Sequence, residues 1–253
     1  MLEYVQGDSF LHRLNPVTKL VVATCLVVAT FLMPGFAPSL VVALLLLACA
    51  WLAGVAGRAI RPTLSILAPL AIALLLIQGM FYPGRQTPVV TVGPITFWRE
   101  GLLYALTFTC RIAVIILAFL LLMLTTHPKA LSVALVQRGM SPKLAYVFLA
   151  SLQFIPEMQR RALIISEAQQ ARGLDTRANL WRRLGSLTVM LVPLIAGALI
   201  AAETRFLALE ARGFGRKGQR TSLLEVPDGG VDRLLRWAAP ALLLLLIAWK
   251  VVA

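Results

Sequence analysis

The sequence is short of acids. Eleven Asp and Glu stand against 24 Lys and Arg in 253 residues, and charged side chains make up only 14%. A soluble domain carries about 25%. Histidine and cysteine are scarcer still, with two and three residues. His12 and His127 have no acid or cysteine cluster around them. That argues against a metal site, which needs several ligands at set spacing. Cys25, Cys49 and Cys110 each lie inside an apolar run and read as small buried hydrophobes, not a disulfide framework. No Ser/His/Asp set or carboxylate pair suggests acid–base or nucleophilic catalysis. A phosphate-cradling loop is missing too. The stretch from Gly213 to Ser222 is rich in Gly and Lys, but Gln219 follows Gly218 where the Walker A pattern requires Lys. Neither ATP hydrolysis nor any other enzymatic activity is expected of this chain, and no cofactor or metal.

What is present is apolar surface. Hydrophobic residues make up 59%, and the mean hydropathy is +0.84. Several runs approach the 18 to 20 residues that cross a bilayer as a helix. They are continuous, not alternating, which argues against a β-barrel. The fold class is therefore all-α, a polytopic membrane protein with about five transmembrane helices. The runs cover about 17–33, 39–56, 63–81, 101–124 and 234–253. Asn15-Pro16 marks the start of the first, with Asn as N-cap and Pro at the first helical position. Pro34-Gly35 and Pro38 end it, and Pro62 is expected to open the third. Residues 82–99 form a Pro/Gly-rich loop with one β-prone piece, Val89 to Val92. No cleavable signal peptide is evident.

Sixteen of the 24 basic residues fall in 125–185 and 205–236. By the positive-inside tendency these regions and the N-terminus face the cytoplasm, with the last helix leading outward. Such asymmetry is usual for inner-membrane proteins, so nucleic acid is not an expected partner. Arg111 sits near the middle of the fourth run, where an unpaired charge is costly. Two readings stand: a structural pair with an acid such as Glu203, or a contact with a partner or moving element.

Residues 125–233 differ from the spans. A short helix is expected over about 128–139, ended by Gly139. A second spans about 142–172, with Pro156 at a kink and Glu157 and Arg161 spaced i,i+4. After a linker at 174–179, a third covers about 180–212. Its apolar stretch, Leu184 to Ala202, is long enough to span, yet both flanks are strongly basic. The second and third helices either dip into the membrane as a pair or lie along its cytoplasmic face. Ala196, Gly197, Ala198, Ala201 and Ala202 would permit a close helix crossing. The chain divides into 1–124 (N-terminal segment and four spans), 125–233 (three cytoplasmic helices) and 234–253 (last span).

The second and third of these helices end alike. Glu167-Ala168-Gln169-Gln170-Ala171-Arg172-Gly173 and Ala208-Leu209-Glu210-Ala211-Arg212-Gly213 both finish Ala-Arg-Gly, with an apolar residue next. Taken singly, each is an ordinary helix cap: Arg complements the dipole, and Gly takes the left-handed turn. Two matching ends on neighbouring cytoplasmic helices are harder to dismiss as ordinary caps.

These stretches resemble the transmembrane T component of energy-coupling-factor (ECF) transporters, the family of cobalt/nickel and biotin-type systems. The paired Ala-Arg-Gly ends are similar to the family's two coupling motifs. The segment from Gly7 through His12 and Asn15-Pro16 to Lys19 resembles the family's lead into its first span, although Gln6 stands where proline is common. Gln153-Phe154-Ile155-Pro156 resembles a Phe-x-Pro element ahead of the first signature helix. The resemblance implies a scaffold in the cell (inner) membrane that binds two ABC-type ATPases and a membrane-embedded substrate-binding S component, for vitamin or metal-ion uptake. It implies that Ala171, Arg172, Gly173, Ala211, Arg212 and Gly213 seat in the ATPases, the arginines meeting acidic groups. Glu167, Glu203 and Glu210 would support the helices by pairing with Arg160, Arg161 or Arg205, alongside Pro156. The apolar faces of 144–155 and 184–202 would carry the S component. A conventional ABC importer permease, forming the substrate path itself, is the alternative.

Overall fold

Asn15 and Pro16 start the first long helix as the sequence predicts. The Asn15 side chain accepts a hydrogen bond from the Val17 N–H at 3.0 Å, and Pro16 sits where no N–H is needed. The structure is a computed structural model that describes residues 5, 7, 9–83, 87–92, 95–174, 180–214, 216 and 226–252. Gln6, Asp8, the linker at 175–179, and residues 215 and 217–225 of the loop lie outside the described residues. The helices are α1 (Phe10–Arg13), α2 (Pro16–Leu32), α3 (Ala37–Leu52), α4 (Ala56–Phe81), α5 (Arg99–Thr125), α6 (Pro128–Gln137), α7 (Pro142–Ala171), α8 (Leu180–Ala211) and α9 (Gly230–Val252). A hairpin of β1 (Pro88–Val92) and β2 (Ile95–Trp98) leads into α5, paired antiparallel from Val92 opposite Ile95 to Pro88 opposite Trp98.

Two boundaries depart from expectation. The second apolar run ends at Leu52, because Gly54 turns the chain with a left-handed φ of 70° and Ala56 begins α4. Pro62 does not open a helix; it lies inside α4, as does Pro69, so Arg58 and Arg61 belong to the first turns of α4. Among the described residues, four helices are long and apolar enough to cross a membrane: α4, α5, α9 and the part of α8 from Thr188 to Ala211. Helices α2 and α3 are shorter apolar helices, about 25 Å long at 1.5 Å per residue against a hydrocarbon layer of about 30 Å.

The chain forms two units: residues 1–138 with 224–253, and residues 139–223. In the first, α5 is central and packs against α2, α3 and α4. Its buried face includes Val114, Leu117, Ala118, Leu121 and Leu124, and meets Ala43, Leu46 and Ala50 of α3 and Ala59 of α4. The alanines matter because small side chains let helix backbones approach where lipid supplies no hydrophobic drive. The closest approach is at the start of α5. A Cβ on Gly101 would lie 2.0 Å from the Gln78 carbonyl oxygen of α4.

Two basic side chains cap helix ends inside this unit. Arg111, from the middle of α5, donates to the carbonyls of Thr30 and Met33, both at 3.1 Å. Its guanidinium also lies 5.3 Å from the centre of the Phe31 ring. The partner is therefore the C-terminus of α2 and not Glu203. A cation there meets carbonyls that have no partner in their own helix. Lys19 does the same for α5, with Nζ 2.9 Å from the Thr125 carbonyl. Asp232, 6% exposed, ties the first and last long helices together. One of its oxygens accepts the Asn15 N–H at 2.8 Å and the other the Gly229 N–H at 3.2 Å.

The second unit is a pair of long helices. Helix α7 is continuous through Pro156 and α8 through Pro193. They pair antiparallel, because rising positions on α7 meet falling positions on α8. Tyr146 lies against Phe214 (ring centres 5.2 Å apart), Glu157 contacts Arg205, and Arg161 reaches Gly197.

Candidate functional site

The two Ala-Arg-Gly ends close with the same pair of backbone bonds. Arg172 is the C-cap of α7, and Gly173 follows with φ 92°. The Gly173 N–H donates to Gln170 O at 2.9 Å and the Leu174 N–H to Gln169 O at 3.0 Å. At the other end Gly213 has φ 68°, its N–H donates to Glu210 O at 2.8 Å, and Phe214 N–H donates to Leu209 O at 2.9 Å. This crossed pair of bonds is the Schellman motif, and its left-handed position suits glycine. Each arginine is thereby held on a closed final turn, exposed.

A third helix end provides an internal contrast. Helix α6 also finishes Arg-Gly: Arg138 is its C-cap and Gly139 has φ 93°. Arg138, however, donates to Asp228 at 3.2 Å, and Arg236 grips the same carboxylate at 3.0 and 3.1 Å. Among the described residues, Arg172 and Arg212 have no such acid. The backbone motif alone does not single them out; their guanidinium forks, without an acid among the described residues, do.

The antiparallel pairing sets the two arginines far apart. Arg212 stands at the end of α8 that lies beside Tyr146, in the first turns of α7. Arg172 closes the other end of α7, about 40 Å away at 1.5 Å per residue.

The expected helix-to-helix acids are not the ones used. Glu167, Glu203 and Glu210 are exposed, and none makes an ion pair among the described residues. Glu157 does the work instead. Its Oε1 accepts from Arg161 at 2.9 Å on its own helix, and its Oε2 accepts from Arg205 of α8. Arg161 continues the chain of contacts to the Gly197 carbonyl at 2.9 Å. The physical reason is the helical period. Glu157 and Arg161 are one turn apart and face α8 together, whereas Glu203 lies about 200° round the helix from Arg205. Arg205, with Arg161 second, holds the Glu157 carboxyl below its ordinary value. Pro156 immediately precedes this carboxylate. The i,i+4 spacing of Glu157 and Arg161 was legible in the sequence; the link to Arg205 was not. Gly197 is at the centre of the small-residue stretch that predicted a close crossing. A Cβ there would sit 3.3 Å from Arg161 Nη1.

A family model described as cobalt transport protein, CbiQ, matches residues 7–223. The chain belongs to that family. It is 28% identical over its whole length to an energy-coupling factor transporter transmembrane protein, EcfT, of Lactococcus lactis, covering 98% of that protein. It is 30% identical to the EcfT of Listeria innocua, over 92% of this chain and 88% of the relative. A third relative, a putative ABC transporter ATP-binding protein of Bifidobacterium longum, is 31% identical over 85% of this chain, which corresponds to 29% of that protein. The chain is thus a membrane-embedded T component of the ECF type.

Proposed function

We propose that this protein is the scaffold of an ECF-type importer that transmits the motion of two ABC-type ATPases to a substrate-binding S component, for uptake of a vitamin or metal ion. The observation that carries the reading is the pair of arginines on matched helix ends about 40 Å apart, neither ion-paired among the described residues. One ATPase would take each end. A guanidinium is permanently charged and pairs with a carboxylate through two parallel bonds, so Arg172 and Arg212 would each seat against an acidic groove. ATP hydrolysis belongs to those partners.

The pairing supports a placement of α7 and α8 along the cytoplasmic face. Were the pair to cross the bilayer as a hairpin, its antiparallel course would leave Arg172 and Arg212 on opposite sides. Two cytoplasmic ATPases need both on one side. The pair therefore lies along the cytoplasmic face, although α8 has the length and composition of a span. Exposed apolar residues such as Val147, Ile155, Val192 and Leu199 then serve as the platform for the S component. Closing of the ATPases would draw the two tips together and shift this platform, tilting the bound S component.

The test is co-purification of the tagged chain with its host's ATPases, wild type against the doubly substituted R172E/R212E. The wild type should bring down nucleotide-binding subunits, and the double variant should lose them while remaining folded in the membrane. Retention of the ATPases by the variant would reduce both motifs to helix caps. A wild type that binds ATPases and transports without any S component would instead be a conventional permease.

A further inference from the structure

The chain leaves the first unit after Arg138 and returns to it at residue 224. Residues 139–223, which carry both Ala-Arg-Gly ends, are therefore tethered at two points. Both tethers meet on one carboxylate inside the first unit. Arg138, the C-cap of α6, donates to Asp228 Oδ1 at 3.2 Å across 90 positions of sequence. Arg236 of α9 grips both oxygens, at 3.0 and 3.1 Å, and Arg233 lies 3.9 Å away. A bidentate guanidinium holds a carboxylate in a fixed orientation. The Arg236 side chain is 15% exposed, so water competes for this grip less than it does at an open surface pair.

The returning tether is anchored independently. The Asn15 side-chain amide donates to the Pro227 carbonyl at 3.4 Å, and Asp232 accepts the Gly229 and Asn15 N–H groups. The outgoing tether is weaker. Helix α6 has ten residues, and a helix shorter than about 12 residues is marginal by itself. Only residues 139–141 separate Arg138 from α7, so slack at the end of α6 becomes rotation of α7. That helix is 30 residues long, and each degree of rotation at its root moves the Arg172 tip by about 0.8 Å. Charge sharpens the dependence. Among the described residues, Asp228 is the one acid within ion-pair distance of Arg138, Arg233 and Arg236. Without it three like charges would be left beside one another and would repel.

We propose that Asp228 is a positioning residue for energy coupling. It staples the outgoing chain to the anchored returning chain, so that a push on Arg172 turns α7 about a fixed root and does not pull the end of α6 loose. This inference rests on the coupling reading and names the fulcrum which that reading needs.

The test measures spin-label distances by pulsed electron resonance on the full-length protein in liposomes, with the three natural cysteines replaced by alanine. One label pair, Arg58→Cys with Ala168→Cys, joins α4 of the first unit to the far part of α7. The other, Ala168→Cys with Ala208→Cys, lies wholly within the second unit. All three positions are exposed. With Asp228 present, the first pair should give one narrow distance peak. Asp228→Asn should lose that peak to a broad distribution and leave the 168–208 peak unchanged. Arg138→Gln should do the same, and the double variant should broaden the peak no more than either change alone, because both remove one interaction. Arg233→Gln should leave the peak narrow. A 58–168 peak that is broad with Asp228 present, or equally narrow in Asp228→Asn, would overturn the proposal. Equal broadening of both pairs would overturn it too, since Asp228 would then only keep the chain folded. The measurement uses no ATPase. Failure of the ATPases to co-purify would sink the coupling reading, whereas these widths report on the root alone.

Discussion

Gly173 and Gly213 hold left-handed φ values of 92° and 68°, and a side chain at either position is strained whatever the space around it. The left-handed conformation costs an L-residue about 1–2 kcal/mol. Gly173→Ala and Gly213→Ala should therefore loosen the final turns of α7 and α8. Amide exchange over 168–172 and 208–212 should speed up about 5- to 30-fold, measured by hydrogen–deuterium exchange of the membrane-embedded protein. Unchanged exchange would mean that the glycines do not fix the arginines. Glu157 makes a second residue-scale prediction. Its carboxyl is held below the ordinary value of 4.5, by Arg205 first and Arg161 next. A depressed folded pKa contributes stability above the unfolded value and loses it as the pH falls through the folded one. Exchange protection at the α7–α8 contact should thus exceed that of Glu157→Gln at neutral pH. The difference should close below pH 4.5. A gap between the two proteins that persists in acid would assign the contact to packing alone.

Among the elements, α4 and α5 meet most tightly where Gly101 faces the Gln78 carbonyl. The obstructing atom is backbone, so it cannot swing aside as a side chain would. Gly101→Ala, with its Cβ 2.0 Å from that oxygen, should force the two helices apart. Overpacking of this kind costs about 1–3 kcal/mol. A drop in the detergent-solubilised melting temperature reports it, and an unchanged midpoint would show that the start of α5 is free to shift. The sequence made most elements readable because their signals are local. Asn15-Pro16 and the glycines at 139, 173 and 213 each act within one turn. Strand β2 was missed because four residues, Ile95 to Trp98, carry too short a pattern. The turn at Ala53 to Val55 was missed because an apolar run conceals a change of direction. The partner of Arg111 was missed because a backbone carbonyl leaves no mark in a sequence; only acids were available to name.

At the scale of the molecule, the coupling reading requires both arginine ends on one side of the membrane. Single cysteines at Ala168 and Ala208, exposed positions near the two tips, test this once the three natural cysteines are replaced. Both should react with a membrane-impermeant maleimide only when the reagent is given access to the cytoplasmic side. Reaction of one from outside would mean that the pair crosses the bilayer, and the flat platform would be lost.

The sequence by itself determined the membrane character, most of the helix limits and the two matching Arg-Gly ends, because hydropathy and capping are properties of neighbouring residues. Its small-residue stretch includes Gly197, whose carbonyl accepts from Arg161. Only the tertiary structure decided which acid joins α7 to α8, which of three Arg-Gly ends lack an acid among the described residues, and that those two stand at opposite ends of the helix pair. Those outcomes depend on contacts between residues 36 to 90 positions apart, such as Arg161 with Gly197 and Arg138 with Asp228. No local pattern encodes the direction in which one helix returns along another.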